Sequence, residues 1–268
     1  MEPEQLQASQ QDVAQIAIDS GHILLGHFET SVKQDVKSSD VDIVTDADRA
    51  SEAHLVKALS QRYPTHHIVG EEGGGTGADA TSAPYFWYVD PLDGTNNFAS
   101  GIPHYSVSIA LTDRQRVPLL GVVYDPARDE LYMAHRGGEA TLNGQGISVS
   151  ETQALKQAIV ASGFSYDKAT NPDNNLRQWG NFMVRTRGIR RIGSAALDLC
   201  YVAAGRFDAY WERTLKPWDA LAGMLIVQIA GGIVTDYQGG DAPQHDADGR
   251  YVASNGHLHQ TMLEILAL

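Results

Sequence analysis

Val89-Asp90-Pro91-Leu92-Asp93-Gly94-Thr95-Asn96-Asn97-Phe98 is the densest chemical stretch of the chain, and the apolar run Phe86-Trp87-Tyr88-Val89 feeds it. It reads as a strand that ends in acids, with a helical turn to follow. Asp90 and Asp93 stand three apart, and Pro91 restricts the backbone between them. Two carboxylates can bind a hard cation such as Mg²⁺, and the backbone carbonyl of Leu92 can join them. Gly94 lets the main chain approach a ligand closely. The amides of Gly94 and Thr95, at the start of the turn, can bind phosphate oxygens. A helix N-cap with a tight Asx turn explains the same residues, and this stretch alone leaves both readings open.

Working outward, two more acidic sites stand at element ends. Glu71-Glu72 follows the expected strand His67–Gly70, and Trp218-Asp219 precedes an apolar helix, where Asp219 could simply be the N-cap. Three acidic sites with a phosphate-suited loop fit metal-assisted phosphoryl transfer. Towards the N-terminus, Val13, Ile16, Ala17, Ile23, Leu24 and Phe28 recur at helical spacing and predict one long amphipathic helix from Glu4 to Glu29. Residues 32–44 read as extended or looped. Thr45 or Asp46 is expected to cap a second helix ending near Arg62, before Tyr63-Pro64. The Gly/Ala/Thr/Ser-rich segment 73–82 reads as a mobile surface loop.

Tyr105–Leu111, Leu119–Tyr124 and Glu130–Ala134 alternate as consecutive antiparallel strands would. Past residue 150 strands and helices alternate: a strand at 159–163, helices at 175–185 and 195–204, a strand at 207–211, a helix from Asp219 to Ala230 and a strand at 233–236. The expected division is an α+β half over 1–150 carrying most of the acidic site and an α/β half over 151–268 completing it.

The 268 residues correspond to about 1.8 average domains, enough to bury roughly three quarters of the unfolded surface without a disulfide. Twenty basic against thirty-three acidic residues give a net charge of −13, which argues against a generic nucleic-acid or anionic-membrane binder. Cys200, the single cysteine, falls in an apolar helical segment and is expected to be packed rather than nucleophilic. The acidic N-terminus lacks a basic-then-apolar signal pattern, and the most apolar run, 220–234, is short for a membrane span. A cytoplasmic protein is expected.

Gly70-Glu71-Glu72, then Asp90 to Phe98, then Trp218-Asp219-Ala220-Leu221-Ala222-Gly223 resemble the three signatures of the inositol monophosphatase family. Val41–Asp48, Gly193-Ser194-Ala195-Ala196 and Gly232–Asp236 extend the similarity in order over nearly the whole chain. The resemblance implies a layered αβαβα sugar-phosphatase fold, Mg²⁺ as cofactor, lithium sensitivity and a homodimer. It implies that Glu71, Asp90 and the Leu92 carbonyl hold one Mg²⁺, that Asp90, Asp93 and Asp219 hold a second, and that Glu71 reaches a third, weaker ion through water. Thr95, assisted by Asp48, would orient and help deprotonate the attacking water. The Gly94 and Thr95 amides would hold phosphate, and Asp93, Ala195 and Glu212 would meet the alcohol. Lys37 falls where the family has a loop near the metals. Asp46 adds a carboxylate beside Asp48 and is expected to be a cap.

Other patterns carry less. Asp40-Val41-Asp42 lacks the rest of a calcium loop, and Gly73–Gly77 lacks the Gly-Lys-Ser/Thr of a phosphate loop. His66, His67, His257 and His259 have no partners at zinc-like spacing. Arg185, Arg187, Arg190 and Arg191 could bind a phosphate-bearing partner, but a solvated or interface-facing stretch is the expected reading. The expected function is Mg²⁺-dependent hydrolysis of a small phosphate monoester, foremost myo-inositol monophosphate. Close alternatives are fructose-1,6-bisphosphatase, histidinol-phosphate phosphatase and nucleotide 3′-phosphatase activity. A regulatory protein that contacts a macromolecule on the same fold is the alternative of another class.

Overall fold

The structure is a computed structural model that describes residues 1–28, 34–39, 42–241 and 246–268, with the backbone alone for 34–39 and 42–44. The reading of Lys37 therefore concerns a side chain outside the described residues, and that of Asp40-Val41 falls outside them altogether.

Helix α1 (Pro3–Phe28) leads to the hairpin β1 (Gln34–Ser39) and β2 (Asp42–Thr45), then to α2 (Asp46–Arg62). β3 (His67–Gly70), β4 (Gly74–Gly77) and β5 (Phe86–Asp93) precede the short α3 (Thr95–Ala99). β6 (Ser106–Thr112), β7 (Pro118–Asp125), β8 (Glu130–His135), β9 (Thr141–Leu142) and β10 (Gln145–Gly146) follow as a meander. The remainder runs β11 (Ile159–Ser162), α4 (Leu176–Met183), β12 (Gly188–Arg190), α5 (Ala195–Ala203), β13 (Ala209–Glu212), α6 (Pro217–Ile229), β14 (Ile233–Thr235), β15 (Tyr251–Ser254) and α7 (His259–Leu266).

One sheet has the order β10-β9-β8-β7-β6-β5-β3-β4 and another β12-β11-β13-β15-β14. Three apolar cores fill the four interfaces of five layers, the middle core serving both faces of the central helices. Leu6, Val13, Leu24, Leu55 and Leu59 of α1 and α2 pack on one face of the larger sheet, against Trp87, Ile109 and Val122. Its other face, with Tyr88, Ala110 and Tyr132, meets α5 and α6, which also cover Tyr210 and Ala253 of the smaller sheet. Phe182, Met262 and Ile265 of α4 and α7 close the far side of that sheet on Trp211 and Val252. The order is helix, sheet, helix, sheet, helix, the layered αβαβα fold expected. Cys200 is buried in the central layer.

Three local readings are decided by the structure. Segment 73–82 is not loop throughout: Gly74–Gly77 pairs antiparallel with β3, supplying hydrogen-bond partners to a strand that β5 covers on one side only. The cap of α2 is Thr45, in a capping box with Asp48, while Asp46 reaches Arg49 at 3.3 Å. Asp219 is not an N-cap but the third residue of α6, its carboxylate accepting from the Lys216 N–H at 2.7 Å.

Candidate active site

The two aspartates of β5 need a bulge to act together. Residues three apart on a regular strand face opposite sides. Here Asp90 pairs with Ser108 and Asp93 with Ser106, so three steps on β5 oppose two on β6. The extra residue sits at Pro91-Leu92, where proline could not have donated to a ladder, and both carboxylates turn to one side. β3 runs parallel to β5 and delivers Glu71 just past its end. Ser108 Oγ donates to the Trp218 carbonyl at 3.0 Å and ties the start of α6, with Asp219, to the same place.

A cavity of about 670 Å³ opens here, lined by Glu71, Asp90, Leu92, Asp93, Gly94, Thr95, Ala195, Glu212 and Asp219 among others. Nine of the ten residues singled out in the sequence thus share one cavity. Asp48, the tenth, is buried behind it and accepts from Thr95 Oγ at 3.2 Å. The same hydroxyl has the Leu92 carbonyl at 3.0 Å as a second acceptor. Gly94 has φ 101°, a left-handed conformation that suits glycine, and a Cβ there would sit 3.0 Å from the His104 carbonyl oxygen.

The acids crowd one another. Burial, then the neighbouring charges of Glu71, Asp93 and Asp219, hold Asp90 well above the usual carboxylate range. Burial and Glu71 do the same to Asp219. Burial also raises Asp93, against the pull of Ser194 Oγ (2.6 Å) and the Ala196 N–H (2.7 Å), which both donate to its Oδ2. Glu212, pushed up to about 7 by burial, accepts from Tyr210 Oη at 2.5 Å. It is not paired with Arg213, which reaches Asp167 and Asp173 instead.

The donor set is oxygen only, clustered and self-repelling, and that chemistry fits a hard divalent cation. One oxygen of Asp90, Asp93 and Asp219 already accepts backbone or hydroxyl hydrogens, leaving the other of each for an ion. Among the described residues no three acids, histidines or cysteines already converge as a ready-made metal cage. A cation would therefore have to draw these side chains together.

Sequence reasoning missed several cavity residues. Arg191, expected in a solvated or interface-facing stretch with phosphate binding as the lesser alternative, lines the cavity, as do Lys216, Asn97 and Ser194. Asn97 Nδ2 donates to the carbonyls of His104 and Ile192, both at 2.8 Å, and so joins the two halves of the wall. Asn97 and Ser194 stood inside motifs that carry the resemblance, and Arg191 stands two residues before Gly193-Ser194; those positions were the available signals. The histidines serve elsewhere: His259 bonds Thr235 and Ser254 at 2.9 Å, and His66 packs among Tyr63, Tyr85 and Trp87.

This layout places an oxygen-donor set suited to a divalent cation beside a phosphate-suited turn, and the comparisons supply the family. The inositol monophosphatase family matches residues 5–267, and the chain belongs to it. The Nus factor SuhB of Pseudomonas aeruginosa is 42% identical over 250 residues, spanning 92% of this chain and 91% of that protein. Inositol-1-monophosphatase of Synechocystis is 45% identical over 226 residues, 84% of this chain and 77% of its own. The solved inositol monophosphatase of Anabaena (Nostoc) superposes with a TM-score of 0.87 at 38% identity, covering 98% of this chain and 96% of that one. The chain is an enzyme, a phosphatase of this family.

Proposed function

We propose that the chain hydrolyses a small phosphate monoester, foremost myo-inositol monophosphate, with Mg²⁺ as cofactor. The observation that carries this reading is the set of carboxylates, buried Asp90 with half-buried Glu71, Asp93 and Asp219, open to one cavity with Glu212 on its wall. Glu71, Asp90 and the Leu92 carbonyl would hold one Mg²⁺, and Asp90, Asp93 and Asp219 a second. Bound there, Mg²⁺ would lower the pKa of a water and neutralise charge on the phosphoryl and leaving oxygens.

The chain's own groups position the reactants. Thr95 Oγ gives its hydrogen to Asp48 or to the Leu92 carbonyl, which leaves its lone pairs to orient a water for in-line attack. The Gly94 and Thr95 amides face the phosphoryl oxygens. Asp93, Ala195 and Glu212 meet the alcohol. The water oxygen bonds phosphorus, the ester P–O bond breaks, and a proton passes to the departing alkoxide without a phosphoenzyme. The net charge of −13 supports a small-molecule partner rather than nucleic acid. Exposed Leu176, Met183 and Val184 on or beside α4 support a homodimer. Among the described residues no helix is long and apolar enough to cross a membrane, and a cytoplasmic site of action is part of the proposal.

A phosphate-release assay over a panel of esters, with and without Mg²⁺, tests the reading. Release from inositol monophosphate that needs Mg²⁺ and falls with added lithium, sodium serving as control, is expected. No release from any ester with Mg²⁺ present would sink it. A second reading, contact with a macromolecule alongside hydrolysis, is favoured by the name of the P. aeruginosa relative. An Asp90→Asn chain that fails to hydrolyse, yet restores a strain lacking the protein, would support that second role.

A further inference from the structure

Glu52 belongs to none of the roles above, yet it is a carboxylate only 6% exposed beside the cavity's acidic rim. It lies on α2, one turn beyond Asp48. Its Oε2 accepts from the Glu72 N–H at 2.8 Å and its Oε1 from the Gly73 N–H at 2.5 Å. The two oxygens therefore grip two successive amides of the turn that begins at Glu71. Such charge-assisted bonds from a carboxylate to backbone amides are short and strong.

The surrounding glycines are shaped to this grip. A Cβ on Gly70 would fall 2.8 Å from Glu52 Oε1, and one on Gly73 2.6 Å from the same atom. Neither glycine has a φ in the left-handed range, so their backbone angles do not call for glycine. What a side chain at either position would meet first is the Glu52 carboxylate, which would have to shift to admit it. Gly70-Glu71-Glu72-Gly73 is thus fitted around it, with β3 and β4 pairing from Gly70↔Gly74 outward.

The neighbours of Glu52 on the helix do similar work. Asp48 holds Thr95, and Ser51 Oγ donates at 2.8 Å to the carbonyl of Pro91, between Asp90 and Leu92. Positions 48, 51 and 52 lie on one face of α2 at i, i+3 and i+4. That face fixes three separate stretches of chain against one another.

We propose that Glu52 is a positioning residue that sets Glu71 for cation capture. The proposal rests on the reading that Glu71 is a ligand. Glu71 is the one candidate ligand carried by a tight turn leading into an exposed edge strand, rather than by β5 or a long helix. The clamp removes the turn's freedom before the ion arrives, so its loss is felt as weaker binding more than as slower chemistry.

Calorimetric titration of Mg²⁺ into the metal-free chain is the test, with Glu52→Gln and Gly73→Ala. Glutamine keeps the shape, but its amide nitrogen faces one of the two N–H groups and cannot accept from it. Alanine at 73 pushes on the carboxylate without altering its charge. In both variants we expect Mg²⁺ affinity to fall about 10- to 100-fold, the range for residues that orient metal ligands. In steady state the half-saturating Mg²⁺ should rise by a like factor, with kcat at saturating Mg²⁺ within about 3-fold of wild type. Unchanged affinity in a folded Glu52→Gln overturns the proposal. If that variant fails to fold, unchanged affinity in Gly73→Ala overturns it instead. A loss of kcat that excess Mg²⁺ does not restore also overturns it. A wild-type chain that takes up no Mg²⁺ in the same titration would sink the metal reading itself, a distinguishable result.

Discussion

If Asp90 holds a cation as proposed, it meets opposed demands, because the charges that would gather the ion destabilise the chain without one. Asn at this position keeps an oxygen to accept from the Leu92 N–H (2.9 Å) and removes a charge crowded by Glu71, Asp93 and Asp219. Asp90→Asn should therefore lower turnover by about 10³-fold or more, while the melting midpoint in EDTA rises by a few degrees, at about 2–4 °C per kcal/mol for this size. Phosphate release and a thermal melt check the pair, and turnover within tenfold of wild type would remove Asp90 from the cation site. Glu212 is subtler. Glu212→Gln should cost about 10- to 100-fold in kcat/KM on inositol monophosphate, the worth of one charge-assisted hydrogen bond. It should cost little on an aryl phosphate without neighbouring hydroxyls. Equal losses on both would place Glu212 in the catalytic centre or the fold. Asp90, Asp93 and Asp219 were legible because they sit in short local motifs. Glu52 and Arg191 were not, since Glu52 acts on amides 20 and 21 residues away and Arg191 meets the site only through the fold.

At the scale of elements, legibility followed the reach of the interactions. α1 announced itself by buried Val13, Ala17 and Leu24 at helical spacing, and α2 by its cap and its stop at Tyr63-Pro64. β4 did not, because four glycine-rich residues carry no period and their strand character comes from the uncovered side of β3. The bulge in β5 was equally hidden, although the proline that accompanies it was in plain view. The seat of α6 on the larger sheet also depends on a residue no motif marks. Gly121 of β7 lies so close that a Cβ would be 2.6 Å from the Ala222 carbonyl oxygen and 3.0 Å from its Cα. Backbone on both sides cannot yield as a side chain can. Gly121→Ala should therefore lose about 1–3 kcal/mol in urea unfolding and, by shifting the helix that carries Asp219, also raise the Mg²⁺ needed for half-maximal activity. Stability equal to wild type would show that the sheet and α6 have room to part.

Over the whole molecule, two kinds of carboxylate pull the pH dependence of stability in opposite directions. Glu130 is of the ordinary kind. Its bidentate bonds from Arg206, at 2.6 and 2.7 Å, join β8 to the segment after α5 and hold its carboxyl below the usual range. A depressed pKa contributes stability above the unfolded value, and that stability is lost as pH falls through the folded one. Glu212 is of the other kind. Burial raises it from 4.5 to about 7, so the folded chain binds its proton more tightly than the unfolded chain does. Its charging costs nothing below the unfolded pKa and becomes a penalty as pH rises towards and past 7. The shift corresponds to at most about 3 kcal/mol, since one pKa unit is about 1.36 kcal/mol. Metal-free chain should therefore melt highest in the mildly acidic range, between the loss of the Glu130 pair below and the charging of Glu212 above. The midpoint should drop by several degrees from pH 5.5 to pH 8. Glu212→Gln removes one titrating group and should flatten that drop without moving the acid limb. Saturating Mg²⁺ should raise the midpoint most at pH 8, where the ion meets charged ligands and stabilises the folded form by mass action. Melts of wild type and Glu212→Gln in EDTA, across this range, decide the matter. The same slope between pH 5.5 and 8 in both would show that Glu212 does not carry the alkaline loss.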